Sequence, residues 1–372
     1  MRFLFYSAAV LAALVFAVPG NLLAQSPFNF GNIAVYSKGS GATSLGNTAT
    51  QINILELSST VLNQAAPVQT IDVSTPLNLW TSGTATSTGY LKLSPNGSLT
   101  FTGHVGQGTG NINANINRAA AAISIADGVP TIGTTYTGQT GNQTRAAVTH
   151  NGIDYYVADQ GGIYQNGGAT AALAGNFRGL QIINNQTYIG QQSGNTSNIQ
   201  VSSVNPPLPS AGAPTITGLP GLTNSNTVND FILLSSTGEG GPVDLLYTST
   251  STGINKFSFD GTDWIARGSA TVTGGVFGIT ASINPAGGFN IFYTTGTGST
   301  AANRLEFQTD SALFDSNISL GGANILYTAP ANTTLAGVAL AVPEPTTYAL
   351  IGVNLLGAGA VEWRRRRKLA RA

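Results

Sequence analysis

The sequence predicts an all-β body, a β-propeller-like ring of six blades, from three observations. Apolar residues alternate with a period of two along most of the chain, which puts every second side chain on one face of a strand. Asn-Gly, Asp-Gly and related pairs recur at short intervals and supply the positive φ that tight hairpins need. One strand, turn, strand plan returns along the chain, and its last copy is a first strand with no partner after it. A signal helix before this body and one transmembrane helix after it complete the expected architecture.

Residues 1–24 read as a secretory signal peptide. Arg2 precedes an apolar run from Phe3 to Val18, then comes the helix breaker Pro19-Gly20, then Leu22-Leu23-Ala24 as a small-residue cleavage site. A permanent span would need about 20 apolar residues without that breaker. No Cys follows the run, so lipid attachment at a cysteine is excluded.

The body, residues 25–341, opens on the strand GNIAVYSKG (31–39). LKLSPNGSLTFTG (91–103), AAVTHNGIDYYVAD (146–159), GLQIINNQTYIGQ (179–191) and GITASINPAGGFNIFYTTG (278–296) share one plan: an apolar strand, a turn, and a more aromatic returning strand. FILLSSTGEGGPVDLLYTST (231–250) follows it with a longer turn, and LAGVALA (335–341) is the orphan. Asn96-Gly97, Asn151-Gly152, Asn184-Asn185, Asp260-Gly261 and Gly287-Gly288 mark the turns. Faces such as Ile153, Tyr155 and Val157, or Phe289, Ile291 and Tyr293, predict half-buried strands. The best helix candidate is Asn113 to Ile125, which an Ala-rich strand pair would also explain. A strand at the start and an orphan at the end suit ring closure, in which the two ends complete one blade and leave no open sheet edge. Counting first strands gives six blades, or seven if the Thr-rich stretch near 70–90 hides one. A right-handed β-helix or two β-sandwiches would also accommodate irregular turns and low charge.

Between Gln25 and Ala341 there are eight Lys or Arg against thirteen Asp or Glu, so the body carries a charge of −5. That sign repels phosphate backbones and argues against nucleic acid as a partner. With no cysteine, no disulfide can staple an exported chain, and stability must come from burial.

The residues that could carry chemistry are few. His104 and His150 are the two histidines, each without ligand partners nearby in sequence, and both read as surface or turn residues. Asp260-Gly261-Thr262-Asp263 has the look of a calcium loop but lacks the further oxygen ligands and closing Glu, so it reads as a hairpin turn. Asp154 and Asp159, five apart on a strand, point to opposite faces. No nucleophile elbow, Walker loop, zincin motif or dinucleotide fingerprint occurs, so no catalytic, cofactor-binding or metal residue is assigned and no cofactor is expected. Tyr155, Tyr156, Tyr188, Tyr247, Tyr293, Trp80 and Trp264 recur near strands and turns, where they serve either as core side chains or as faces on which a sugar ring could stack.

The last segment, residues 342–372, is a tail of three parts. Pro343-Glu344-Pro345 comes first, then the uncharged TTYALIGVNLLGAGAV (346–361), then Arg364, Arg365, Arg366, Arg367 and Lys368. A helix over those sixteen residues would be about 24 Å long, short of a hydrocarbon core of about 30 Å, and Trp363 at the interface with snorkelling Arg side chains would complete a span over about 346–363. The Arg cluster acts as a membrane stop and predicts a cytoplasmic C-terminus, the topology a cleaved N-terminal signal also demands. This order of motif, helix and basic cluster resembles the PEP-CTERM sorting signal. The resemblance implies an exosortase as the processing partner, passage through the inner membrane, and a final place in the cell envelope or on the extracellular surface of a Gram-negative-type bacterium. The FNFGNIAVY opening and AGVALAVPEP ending also resemble the propeller-like bodies of PEP-CTERM proteins. By analogy with that sorting system, the expected function is a non-catalytic protein associated with exopolysaccharide. The competing expectation is an exported propeller enzyme, a polysaccharide lyase or glycosidase, with carboxylates gathered at a central channel.

Overall fold

The computed structural model describes residues 25–191, 201–207, 212–222, 228–238 and 240–341. Six antiparallel sheets follow one another along the chain as the blades of a β-propeller. The first strands of successive blades adjoin round a common axis. Blade 1 is closed by both ends of the ring: Thr334–Leu340 is its innermost strand, and Ile33–Lys38, Ile52–Leu57 and Gln69–Asp72 follow outward. The closing register runs from Ile33 opposite Leu340 to Lys38 opposite Thr334. LAGVALA is therefore an orphan only in sequence; its partner is GNIAVYSKG, at the other end of the body.

Blades 3 to 6 begin with Thr144–Thr149, Phe177–Ile183, Asp230–Leu234 and Val276–Ile283. Each is the first strand of a hairpin read from the sequence, and each pairs with the strand after its turn. At the turn of blade 4, Asn184 (φ +48°) and Asn185 (φ +61°) lie between the paired Ile183 and Gln186, the left-handed pair a two-residue hairpin requires. No seventh blade lies at 70–90. That stretch holds the outer strand of blade 1, a single helical turn at Ser74–Leu77, and Leu79–Ser82 of blade 2.

Blade 2 departs from the common plan. Leu79–Ser82 and Lys92–Ser94 both pair with Ser98–Val105, at its two ends, so the innermost strand is interrupted by residues 83–91. Asn117–Ser124 and Pro130–Thr137 extend the blade outward, and the two-residue strand Ala49–Thr50 pairs with Leu79–Ser82 on the side away from Ser98–Val105. The helix candidate Asn113–Ile125 is thus mostly strand, preceded by a short 3-10 turn at Ile112–Ala114. Ala119, Ala120 and Ala121 are buried on both faces, and a run of small side chains lets neighbouring blades approach closely.

The expected half-buried strands are in fact buried on both sides. Ile33–Lys38, Thr144–Thr149, Tyr155–Asp159 and Leu245–Ser249 have no exposed residue, because each blade is sandwiched between two others. Ile153, expected on the face of Tyr155 and Val157, lies in the turn before the strand and is 76% exposed. Aromatic pairs bridge the blades: Tyr36 meets Phe101 edge-on between blades 1 and 2, and Tyr247 meets Phe289 between blades 5 and 6. A full alternation is kept on the outer strand Thr215–Gly218, where exposed and half-buried residues take turns.

A candidate binding site at the propeller axis

The site begins with the interruption in blade 2. Gly89 is at φ +90° and accepts a hydrogen bond from the Gly337 N–H of blade 1 at 2.6 Å, so the chain crosses onto the innermost strand of its neighbour. A Cβ on Gly337 would collide with the backbone of Gly89 and Leu91, and only glycine allows this approach. The insert is pinned by Lys38, which donates to Ala85 O (2.9 Å), Thr88 Oγ1 (2.8 Å) and Gly298 O (2.6 Å). Burial pushes its amine down to about 7.

From that crossing, Tyr90, Leu91 and Lys92 enter the axis. Tyr90 packs on Phe277 of blade 6, ring centroids 5.0 Å apart. Lys92 reaches blade 5, three blades away and therefore diametrically opposite, and its Nζ lies 2.6 Å from Asp230 Oδ1. This pair spans the space an open central channel would occupy. Lys92 also donates to Phe231 O at 3.2 Å, while Asp230 Oδ1 accepts from the Phe231 N–H at 2.9 Å. Burial pushes the Asp230 carboxyl above the ordinary carboxylate range, and the Lys92 charge and backbone N–H donors pull it back.

Two arginines stand at the second position of the inner strands of blades 3 and 4 and bind forward to the next blade. Arg145 donates to Asn176 Oδ1 and Phe177 O, and Arg178 to Asn229 Oδ1; Asn229 Nδ2 in turn donates to Val276 O of blade 6 at 2.7 Å. Burial lowers Arg145 to about 10 and raises the Tyr90 hydroxyl to about 12, the two arginine charges opposing the latter shift.

On the other side of the Lys92–Asp230 pair, where the inner strands end, the axis opens into a bowl of about 420 Å³. Leu93, Ile183, Leu234, Ile283 and Leu340, one from each of five blades, form its aliphatic mouth. Lys92 is the one charged side chain among the described residues lining it.

Two further buried acids, Asp159 and Asp310, act as struts between blades, whereas Glu56, Asp244 and Glu306 are bonded locally, to Asn29, Asn32 and Gln69, to Ser236, and to Tyr293. Asp159 binds Arg118 at 2.5 Å and accepts from Tyr136 Oη at 2.9 Å. Asp310 binds Lys256 at 2.8 Å and accepts from Tyr247 Oη at 2.7 Å. Asp154 stays in its turn, bonded to Asn151 and Asn166, so Asp154 and Asp159 are not brought together. Asp260 closes a turn by accepting from the N–H groups of Thr262 and Asp263. His150 is half-buried beside its turn, but His104 is fully buried opposite Arg118 in blade 2, because even the middle strands of a blade lie between neighbours. Among the described residues no group of three His, Asp or Glu could hold a metal ion. Tyr155, Tyr156, Tyr247, Tyr293 and Trp264 are core side chains, while Trp80 and Tyr188 are partly exposed. The sorting residues Pro343, Glu344 and Pro345, the basic stop from Arg364 to Lys368, and both expected terminal helices lie outside the described residues.

Sequence reading did not find the axial cluster, whose members come from blades 2 to 5. One signal was present: Arg145 and Arg178 occupy the same place in two aligned hairpins, each a cation within an otherwise apolar strand.

These features define a closed six-bladed β-propeller whose axis is plugged by its own second blade and bridged by an ion pair. No protein family model matches the chain, and no curated protein matches it. Among solved structures, it is similar to the dihydro-heme d1 dehydrogenase NirN at 11% identity and a TM-score of 0.40, over 82% of this chain and 57% of that one. A protein of unknown function from Bacteroides caccae matches at 9% identity and a TM-score of 0.40, over 81% of this chain and 99% of that one. A prolyl endopeptidase matches at 9% identity and a TM-score of 0.35, over 74% of this chain and 40% of that one. The chain thus spans little more than half of NirN, and likenesses this distant say nothing about activity.

Proposed function

We propose that this chain is an exported envelope protein, sorted through its PEP-CTERM-like tail and processed by an exosortase, whose propeller associates with extracellular polysaccharide without degrading it. The observation favouring association over turnover is the use made of the buried acids. A two-carboxylate glycosidase needs a pair of carboxyl groups roughly 5–10 Å apart flanking a substrate. Here Asp230 is paired with Lys92 across the axis, and Asp159 and Asp310 are committed to cations of neighbouring blades. The outer strand Pro130–Thr137 exposes Thr131 and Thr135 and carries no charged side chain, a surface suited to weak contact with polyhydroxylated chains. The sorting half rests on the succession of motif, apolar stretch and basic cluster in the tail sequence; the last described strand ends at Leu340, in the bowl's mouth, three residues before Pro343.

Co-sedimentation with extracted exopolysaccharide is expected to show weak binding with no new reducing ends. Depolymerisation lost on changing one acid would overturn the reading. Intact-mass measurement of secreted protein is expected to show a chain ending near Pro343, and alanine at 343–345 to leave an unprocessed, membrane-held form. Secreted material that retains the Arg364–Lys368 cluster would refute the sorting proposal.

A further inference from the structure

The bowl stands apart from matrix association and from tail sorting. A propeller axis can be filled with side chains, as the plug shows on the other side of the Lys92–Asp230 pair, yet here four inner strands end on an aliphatic residue that stays partly exposed, and a fifth carries Leu93 one residue before its end. Ile283 is 39% exposed, and Leu93, Ile183, Leu234 and Leu340 are half-buried. Apolar surface left in water costs roughly 25 cal/mol per Å², so five converging aliphatic groups constitute a standing preference for an apolar occupant. The volume of about 420 Å³ falls within the range of small-molecule pockets, about 300–1,000 Å³, which are mostly apolar with a few placed polar groups.

The placed polar group is Lys92. Its ammonium has three N–H donors. Asp230 Oδ1 takes one and Phe231 O another; the third has no oxygen acceptor among the described residues, the Phe231 ring centroid lying 5.6 Å from Nζ. The charge beside it is already balanced by Asp230, 2.6 Å away. A carboxylate or phosphate entering the bowl would meet the Asp230 charge in a low-dielectric setting, and a cation would meet Lys92. An uncharged oxygen can accept the remaining N–H without either conflict.

We propose that the axial bowl binds a neutral amphiphile, its aliphatic body against the mouth formed by Leu93, Ile183, Leu234, Ile283 and Leu340 and an uncharged oxygen, of the ester or hydroxyl kind, on Lys92. The assignment does not depend on polysaccharide binding and survives its failure.

The test uses residues 25–341, a ring that closes through its own terminal strands, in detergent-free buffer with the neutral fluorophore N-phenyl-1-naphthylamine. Saturable one-to-one binding is expected, displaced by a monoacylglycerol at least tenfold more effectively than by the fatty acid anion of equal chain length at pH 8. Ile283→Arg, at a position exposed enough to leave the melting temperature unchanged, should weaken binding tenfold or more. Ile153→Arg, at an exposed residue in a turn of blade 3, should not. Absence of saturable binding, equal binding by the Ile283→Arg protein, equal loss in both variants, or displacement by the anion as good as by the neutral lipid would each overturn the proposal. So would binding to residues 25–341 that vanishes in the full chain, which would make the C-terminal segment the occupant.

Discussion

Lys92 is a surface-type residue placed at the centre of the molecule, and its behaviour follows from what surrounds it. Replacing it by Met leaves Asp230 buried without its cation, which typically costs about 3–5 kcal/mol. Lys92→Met is therefore expected to lower the melting temperature by roughly 5–15 °C, with most of that loss recovered when Asp230→Leu is added. Calorimetry of the two variants checks both halves. His104 offers a pH test. Burial first, then the Arg118 charge, pushes its imidazole down to about 4, while its bond to Asn115 O works the other way. With a folded value below the unfolded one of about 6.5, the unfolded chain binds more protons between pH 6.5 and 4. Stability is fully present above pH 6.5 and falls as the pH drops toward 4, by about 1.4 kcal/mol for each pH unit crossed. In His104→Gln this component should be missing, so the variant's melting temperature should fall less than the wild type's over that window.

Elements of this propeller are made by local chemistry and joined by close approach. The hairpins of blades 2 to 6 were readable because alternation and turn pairs act within a dozen residues, and the first strands named from sequence are the inner strands observed. What could not be read is which faces are buried. Alternation predicts one wet face, whereas packing of blade on blade removes it, and so His104 and both faces of Tyr155–Asp159 lie in the interior. The plug in blade 2 was also hidden, since nothing local distinguishes Gly89 and Gly337 from loop or strand glycines. Two substitutions separate these cases. Gly97→Ala changes a turn residue at φ +77° with open space round it and should cost about 1 kcal/mol from backbone strain. Gly337→Ala meets backbone atoms of Gly89 and Leu91 and breaks the crossing, so soluble yield or melting temperature should fall far more.

At the scale of the whole molecule, the ring depends on its ends. A chain ended after Ala341 is expected to unfold with the same midpoint as the longer one. A chain ended after Thr333 loses the innermost strand of blade 1 and leaves Ile33–Lys38 as a bare edge, and it should lose cooperative unfolding or aggregate. Far-ultraviolet circular dichroism of residues 25–341 should show far less helix than the roughly one third common in globular proteins. The sequence by itself determined the all-β class, the hairpins and the pairing of first strand with last, because these follow from period, turn residues and the need to cover sheet edges. The site was decided by the tertiary structure alone. Lys92 and Asp230 stand 138 residues apart and meet only when six blades close a ring, and no local pattern encodes which residues face each other across an axis. The bowl has the same origin: ordinary aliphatic residues at or next to the ends of five inner strands become a cavity only through their convergence.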